Sequence, residues 1–382
     1  MSSDSNDHLR RQRMLGAWAL DACSAEERRQ VDTHLAVCAE CAAEAARLRS
    51  AVDLLHPHMD LDLAPTLRAE VLGACLGARA PEVSVPDYAQ PYDAETARLD
   101  ALLADLSEDE WSTAVQLEWL EEGDTATRSV SVAGVVGHLL AVDGMVGKSL
   151  GLPDPLTPSE DETGAPQDRT EALWRQLGFT AEDRRADSAD GPGALRETWR
   201  DHAYELIRTC SFAGGGVADI AVPYGDGGVL PLRLALLDRA FETWIHAADI
   251  AAAVDYPYNP PVPEHLRILI AVAVQMLPSV LAARRQAGLA SPPLPVVEPG
   301  ASARSLRLQI EGESGGEWYV PLDGVEEAAG PDNCVSHVVL DEVEFCRLAA
   351  GHLTPRTVAA GQRGDPTATL EFLYAAASMS RL

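Results

Sequence analysis

Three residues whose side chains bind soft metal ions lie close together near the N-terminus: His34, Cys38 and Cys41. His34 and Cys38 are four residues apart, so a helix would place both on one face. Cys38 and Cys41 form a Cys-x-x-Cys pair that can close around one ion. Because zinc binds four nitrogen or sulfur atoms in a tetrahedron, this segment predicts three ligands of a zinc site. The alternative is that both cysteines pack as small apolar core residues.

The sequence around these residues resembles the zinc-associated anti-sigma domain, whose zinc-finger motif is His-x-x-x-Cys-x-x-Cys. Residues 14–20 resemble the helix that precedes the motif in that family, and residues 65–72 resemble its fourth helix. The resemblance spans about residues 8–80. It implies four short helices and a zinc ion that stabilises a domain with a small core.

The resemblance also implies a fourth zinc ligand near the N-terminus. His8 stands 26 residues before His34 and is our candidate for this ligand. Cys23, in the predicted turn between two helices, is the main rival. The remaining alternatives are a water molecule or Asp7, since tetrahedral zinc needs a fourth group.

The resemblance implies a partner as well, because anti-sigma domains of this family bind sigma factors of the extracytoplasmic-function type and thereby repress transcription. Such binding is helix-in-groove recognition, in which apolar residues at helical spacing supply the affinity. Leu67, Val71 and Leu72 are the candidate anchors. The alternative for each is a place in the core of its own domain.

A second group of metal-ligand residues is more widely spaced along the chain: His138, Glu242 and His246. Glu242 and His246 are four residues apart, on one face of a helix predicted over about 232–254. His138 lies in an apolar helix, where an unpaired imidazole would be costly to bury. Two facing helices that carry these residues predict a three-ligand metal site with an open position. The alternative is a core histidine beside a surface Glu–His pair.

The segments that carry this group resemble the N-terminal domain of the mycothiol-dependent maleylpyruvate isomerases, a DinB-like four-helix bundle. Residues 131–139 contain His138, and residues 239–250 contain Glu242 and His246. The metal triad of that family maps onto these three residues. The resemblance therefore implies a second divalent metal, expected to be zinc, and mycothiol as a candidate thiol ligand.

Periodicity and proline-rich segments divide the chain into domains. We predict a zinc-binding domain over 1–80, a linker over 81–91, a helical bundle over 92–258 and an α+β domain over 259–382. The order and length of the last domain resemble the sterol-carrier-like C-terminal domain of the same isomerases. The predicted fold class is mainly α with an α+β C-terminal domain.

Composition excludes several classes of function. The formal net charge is −29, so the chain would repel nucleic acid and we expect no direct binding to it. No apolar run approaches the roughly 20 residues that a membrane-spanning helix needs. The first residues are polar and do not form a signal peptide. We therefore expect a cytoplasmic protein that does not bind membranes.

The seven cysteines are scattered and odd in number, which does not indicate a disulfide framework. Only Cys38 and Cys41 are closely spaced. In some relatives this pair is redox-active, and its oxidation ejects zinc and releases the sigma factor. Such a switch needs a nearby partner thiol, which Cys23 or Cys75 could provide.

Three functions are consistent with these features. The first is a regulator in which an anti-sigma domain is fused to an isomerase-like module that senses a thiol, an electrophile or a metal. The second is a metal- and mycothiol-dependent isomerase or transferase, although the chain departs from the isomerase pattern at Ala133 and Gly134. The third is a pure interaction protein. The fusion favours the regulator, so we do not expect enzymatic activity and assign no catalytic residue.

Overall fold

The chain divides into two compact units, Met1–Glu82 and Val83–Leu382. The computed structural model describes residues 3–55, 66–78, 84–121, 123–156, 165–177, 191–225, 228–292, 304–324 and 329–379. The sequence predicts that a helix ends at His56-Pro57-His58, and that segment lies outside the described residues.

The first unit consists of helices α1 (Ser3–Ala19), α2 (Ala25–Leu35), α3 (Ala39–Leu55) and α4 (Leu67–Ala78). A capping box starts α2: Glu27 donates its N–H to the Ser24 hydroxyl, and its carboxylate accepts the N–H of Ser24. Helices α1 to α3 pack around a few buried side chains, chiefly Leu15 and Val31. This core is small for a domain that must hold its fold without other support.

The second unit begins with helices α5 (Gln90–Asp105), α6 (Val132–Ser149), α7 (Pro166–Gln176), α8 (Gly191–Ala213) and α9 (Leu232–Ala253). Helix α6 is buried from Val132 to Gly147, and its N-cap Ser131 accepts the N–H of Gly134. Helix α9 packs against both α5 and α6. This packing turns the face of α9 that carries Glu242 and His246 toward α6.

A β-hairpin that the sequence did not predict precedes α6. Its strands are β1 (Ala114–Glu121) and β2 (Asp124–Ser131), paired antiparallel. Val115 and Leu117 are buried while Ala114 and Gln116 are exposed, the alternation of a strand with one face on the core. Because β1 contacts α9, the hairpin forms one wall of the region around Glu242. A second short pair, β3 (Ala221–Pro223) and β4 (Val229–Pro231), leads into α9.

The C-terminal part contains α10 (Pro263–Gln286), β5 (Ser305–Glu311), β6 (Gly316–Pro321), β7 (Cys334–Asp341), α11 (Glu342–Ala349), β8 (Gly361–Gly364) and α12 (Pro366–Ala377). The four strands form one sheet in the order β6-β5-β7-β8, in which only the central pair β5 and β7 is parallel. The fold is therefore mainly α with a smaller sheet-containing C-terminal region, as predicted.

One apolar core runs from the helical part into the C-terminal sheet and includes residues of α6, α9, α10, β5 and α12. Helix α10 is long and apolar enough to cross a membrane by length and composition, which the sequence analysis had not expected of any segment. Its buried residues, among them Leu269, Ile270 and Leu277, lie within this core. Through these residues, α10 packs in the core that the helical part of the second unit shares with the C-terminal sheet.

Candidate metal centres

Three helices bring together the four residues predicted to bind the first zinc ion. His8 lies on α1, His34 in the last turn of α2, and Cys41 in the first turn of α3. Cys38 stands directly before α3, where its carbonyl accepts the N–H of Ala42 and its own N–H donates to the His34 carbonyl. The backbone of this turn therefore fixes His34 and Cys38 relative to each other.

The ligand atoms of these four residues lie within 4.8 Å of one another. The Nδ1 atom of His8 is 3.9 Å from the sulfur atoms of both Cys38 and Cys41. Zinc bonds of about 2.0–2.3 Å would separate tetrahedral ligand atoms by roughly 3.3–3.8 Å. The group therefore suits zinc with only small side-chain shifts. Cys23, the rival ligand, lies between α1 and α2 and is not a member of this group.

Burial at this site favours the neutral form of His34, which is the form that binds metal. His34 is 9% exposed, and its Nε2 has no hydrogen-bond partner among the described residues. Burial lowers the pKa of His34, and the neighbouring His8 and Arg11 lower it further. Burial also raises the pKa of the Cys41 thiol, with a contribution from Cys38. A bound dication would reverse that effect, because it stabilises the thiolate.

Helices α6 and α9 bring the second predicted group together in the bundle. The ligand atoms of His138, Glu242 and His246 lie within 4.8 Å of one another. The Nε2 atom of His138 is 3.4 Å from Oε2 of Glu242, and the two imidazole rings stand at 89° with their centroids 5.1 Å apart. Three ligands of this kind leave a coordination position for a further group, as in reactive metal sites.

Hydrogen bonds from neighbouring residues orient both histidines of this group. The Thr170 hydroxyl donates to the Pro166 carbonyl at 2.8 Å, so it must accept the bond that it shares with Nδ1 of His138, also 2.8 Å. His138 therefore carries its proton on Nδ1 and turns the lone pair of Nε2 toward Glu242. Likewise the Asp249 carboxylate lies 3.2 Å from Nδ1 of His246, which leaves Nε2 of His246 available to a metal.

A buried cation keeps Glu242 ionised. Arg239 has no exposed surface and donates to Asp143 through Nε and to Glu242 through Nη1, each at 2.9 Å. Burial alone would raise the pKa of Glu242, but the guanidinium of Arg239 outweighs it and holds the pKa below its usual range. Burial lowers the pKa of His138. The group thus presents one carboxylate and one neutral imidazole, the forms that bind a dication.

A cavity that is open to solvent lies beside this group and includes Glu242 and His246 in its wall. The C-terminal part contributes His352, which follows α11 and also lines the cavity. Nδ1 of His352 is 3.6 Å from the Asp249 carboxylate that holds His246. Burial lowers the pKa of His352, against an opposing contribution from Asp249. The cavity is therefore lined by residues of both the helical part and the C-terminal part of the second unit.

Sequence reasoning missed several residues of this site. No spacing in the sequence pairs His352 with another ligand, and none singles out Asp143 or Thr170. No local spacing connects these residues to the ligands, because each contact joins segments that are distant along the chain. For Arg239 and Asp249 a signal did exist, since both belong to the segment 239–250 that carries the isomerase resemblance.

Comparison with known proteins finds family matches for two segments of the chain. Residues 92–251 match the family of the mycothiol maleylpyruvate isomerase N-terminal domain. Residues 11–42 match the family described as "Putative zinc-finger". No curated protein matches the chain. The protein therefore joins a zinc-finger segment to an isomerase-type N-terminal domain, and the recognition of both from the sequence is confirmed.

Among solved structures, the chain is similar to the mycothiol-dependent maleylpyruvate isomerase and to a single-site mutant of it. Each is 16% identical to this chain, and the alignment covers 72% of this chain and 92% of the other. The TM-scores are 0.40 for the isomerase and 0.41 for the mutant. The zinc-finger match begins three residues after His8, so the family comparison bears on His34, Cys38 and Cys41 and not on the N-terminal histidine.

Replacing Thr170 by valine is expected to lower the affinity of the bundle site for Co²⁺ by about 10- to 100-fold, because the ring of His138 loses the hydroxyl that orients it. Cobalt absorption separates the two sites, since only the first contains thiolates and gives a sulfur-to-cobalt band. Thr198→Val is the matched control: its hydroxyl also donates to the carbonyl four residues back on its helix, but it orients no histidine. Equal affinities in the two variants would contradict the assigned role of Thr170.

Proposed function

We propose that this protein is a zinc-binding anti-sigma factor of the cytoplasm. It would sequester a sigma factor of the extracytoplasmic-function type and so repress transcription, with the isomerase-like module as its sensor. The observation that carries the proposal is the zinc-finger segment, whose His34, Cys38 and Cys41 meet His8 in a group that suits zinc. Zinc would hold α1 to α3 in the arrangement that presents the sigma-binding surface.

The first unit carries exposed apolar side chains where a partner could bind. On α4, Leu67 is 36% exposed, and Val71 and Leu72 are each 50% exposed. The sequence left open whether these residues are anchors or core, and their exposure favours anchors. Leu54 and Leu55, at the end of α3, are 84% and 75% exposed. Exposed apolar residues at helical spacing are typical of a helix that lies in the groove of a partner.

The role of zinc in this proposal follows from the size of the core. The buried apolar residues of α1 to α3 in the described part of the chain are few: Leu15, Ala19, Val31, Cys41 and Ala45. A core of this size contributes little stabilisation, so small domains of this kind depend on disulfides or metals. Metal binding would then contribute folding free energy directly. Loss of zinc would unfold the sigma-binding unit and release the partner.

Replacing Val71 by aspartate is expected to weaken sigma capture at least about tenfold, because the charge would have to be buried in an apolar groove. The measurement is a pull-down from cells that co-express the full chain with the sigma factor encoded beside it. Val229→Asp is the control, since Val229 is 63% exposed and lies in the other unit. Full capture by Val71→Asp would contradict the assignment of α4 as the anchor helix. Failure of the unchanged chain to capture sigma would contradict the proposed function.

The second candidate function is a metal- and mycothiol-dependent isomerase or transferase. The observation that favours it is the His138, Glu242 and His246 group, which lies beside a cavity within the region that matches the isomerase domain. In such an enzyme the three residues would hold a metal, and its open coordination position would bind and activate a thiol for attack on the substrate. Thiol-dependent turnover of maleylpyruvate by the zinc-loaded chain, lost in His246→Ala, would support this function over the sensor.

A further inference from the structure

Two rows of side chains run along the part of α9 that lines the cavity beside the second metal group. The polar row has members four residues apart, and the last two belong to the metal group: Asp238, Glu242 and His246. The apolar row has the same spacing: Leu237, Phe241 and Ile245. Residues four apart share a face of a helix, and both rows line one cavity. The metal group therefore borders a strip of hydrocarbon.

Helix α10 packs against α9 and contributes a second apolar strip to the same cavity. Its members recur at helical spacing: Leu269, Val272, Ala273 and Met276. The side chains of Phe241, Val272 and Met276 are only half-buried, so part of their apolar surface is exposed to water. A hydrocarbon group that covered these side chains would remove their surface and its own from water, which is favourable.

The open coordination position of the second metal group is reached from this cavity. His138 is 1% exposed and is not part of the cavity wall, whereas Glu242 and His246 are. A further ligand of a metal held by the three residues would therefore enter on the side of Glu242 and His246. The positive charge of such an ion favours an anionic donor atom, and thiolate and carboxylate both qualify. The charge of the ligand's head would thus be compensated by the metal.

We propose that the ligand of this module has two parts: a donor atom that binds the bundle metal, and a hydrocarbon group that packs between α9 and α10. The apolar strips of the two helices select for the second part. A thiol whose remaining atoms are polar would bind the metal but gain nothing from this wall. This ligand class deepens the proposed sensor function and rests on it for its meaning as a signal.

The proposal predicts that affinity rises with the length of the hydrocarbon group. Full burial of one methylene raises affinity about fourfold, so a wall that covers half of it gives about twofold. The chain of 1-hexanethiol is longer than that of ethanethiol by four methylenes, so it should bind at least about tenfold more tightly. The two thiols carry the same donor atom, and the difference therefore reports on the wall.

The test uses the full chain without sigma factor, with Co²⁺ in both metal sites and in the absence of oxygen. A thiolate that binds cobalt at the bundle site adds sulfur-to-cobalt absorption to that of the first site, and titration of this added band with each thiol gives the two affinities. His246→Ala, which lacks a ligand of the bundle site, should show no added band. Equal affinities of the two thiols would overturn the proposal, and so would an added band that is absent from the unchanged chain or persists in His246→Ala.

Two pairs of substitutions locate the hydrocarbon group. Ala273→Trp places an indole in the cavity and should weaken 1-hexanethiol binding at least about tenfold, whereas Ala283→Trp, at an exposed position of the same helix outside the cavity, should not. Val272→Thr changes one methyl group to a hydroxyl and should weaken 1-hexanethiol binding about threefold, with ethanethiol nearly unaffected. Its control is Val280→Thr, since Val280 is half-buried on the same helix but outside the cavity.

The threonine pair keeps the location testable if Ala273→Trp does not fold, because threonine has nearly the volume of valine. Equal 1-hexanethiol binding by Val272→Thr and Val280→Thr would overturn the location between α9 and α10. All of these titrations are independent of sigma capture. Failure of this proposal and failure of the anti-sigma function would thus be seen in separate experiments.

Discussion

Replacing His34 by alanine is expected to remove one equivalent of zinc per chain and to unfold α1 to α3. The unit has a small apolar core, and structural zinc sites in peptides of this size contribute about 10–16 kcal/mol of binding free energy, which is also folding free energy. His34 is a ligand in the proposed site, and its Nε2 has no hydrogen-bond partner among the described residues. A metal bound by the proposed ligand set would supply that partner.

Metal analysis of the purified chain and the sulfur-to-cobalt absorption band measure this loss. Limited proteolysis should then cut the first unit of His34→Ala and leave Val83–Leu382 intact, because that unit has its own core. Thr33→Ala is the control, since Thr33 is the exposed neighbour on the same helix and its hydroxyl donates to the Arg29 carbonyl, away from the proposed ligands. Unchanged zinc content in His34→Ala would refute the proposed ligand set.

Replacing Asp143 by alanine is expected to destabilise the second unit by about 3–5 kcal/mol, because it leaves the charge of Arg239 buried with one of its two ionic partners removed. Both side chains of the pair have no exposed surface. Asp143 also accepts a hydrogen bond from the indole of Trp199, itself fully buried, at 3.1 Å. The substitution therefore breaks two buried interactions at once, and α6, α8 and α9 lose a common contact.

Urea or thermal unfolding of the full chain, followed at the transition of the second unit, measures this effect. Glu205→Ala is the control, since Glu205 pairs with Arg208 at the surface and such pairs contribute about 0–1 kcal/mol. A loss of stability no greater than that of the control would show that Asp143 does not hold the buried charge. Weaker metal binding is also expected in Asp143→Ala, because Arg239 positions Glu242.

Local signals in the sequence were sufficient for the elements that carry the ligands. Ser131 precedes an apolar run, which predicts the start of α6, and the four-residue spacing of Glu242 and His246 predicts one face of α9. Apolar residues alternate with polar ones over 306–310 and 318–322, which predicts two strands, and these segments form β5 and β6. These features succeed because caps and periodicity depend on neighbouring residues alone.

Sequence reasoning missed a hairpin and the start of a helix. In β1 the apolar residues Val115, Leu117 and Trp119 alternate with Gln116 and Glu118, which is a strand pattern, but it is short and was not recognised. Helix α7 begins within the segment 151–170, whose four prolines predict a loop. Its first residue is Pro166, and proline is well tolerated in the first turn, where its missing N–H costs nothing.

In the two metal groups, the ligands could be predicted from the sequence, whereas the residues that contact them from distant segments could not. The predicted ligand atoms lie close together in both groups. The resemblance indicated which residues to group, and the fold brings those residues together. His352 could not be found in this way, since it meets Asp249 from about a hundred residues away along the chain. The buried charge network of Asp143 and Arg239 likewise spans two helices and has no signature in spacing.

Transcription in vitro from a promoter that depends on the neighbouring sigma factor tests the central claim most directly. We predict that the zinc-loaded chain, added at a one-to-one ratio to sigma before core polymerase, abolishes transcription from that promoter. The His34→Ala/Cys38→Ala variant should leave transcription unchanged. Full transcription in the presence of the zinc-loaded chain, with sigma and zinc content verified, would contradict the proposal that this protein is an anti-sigma factor.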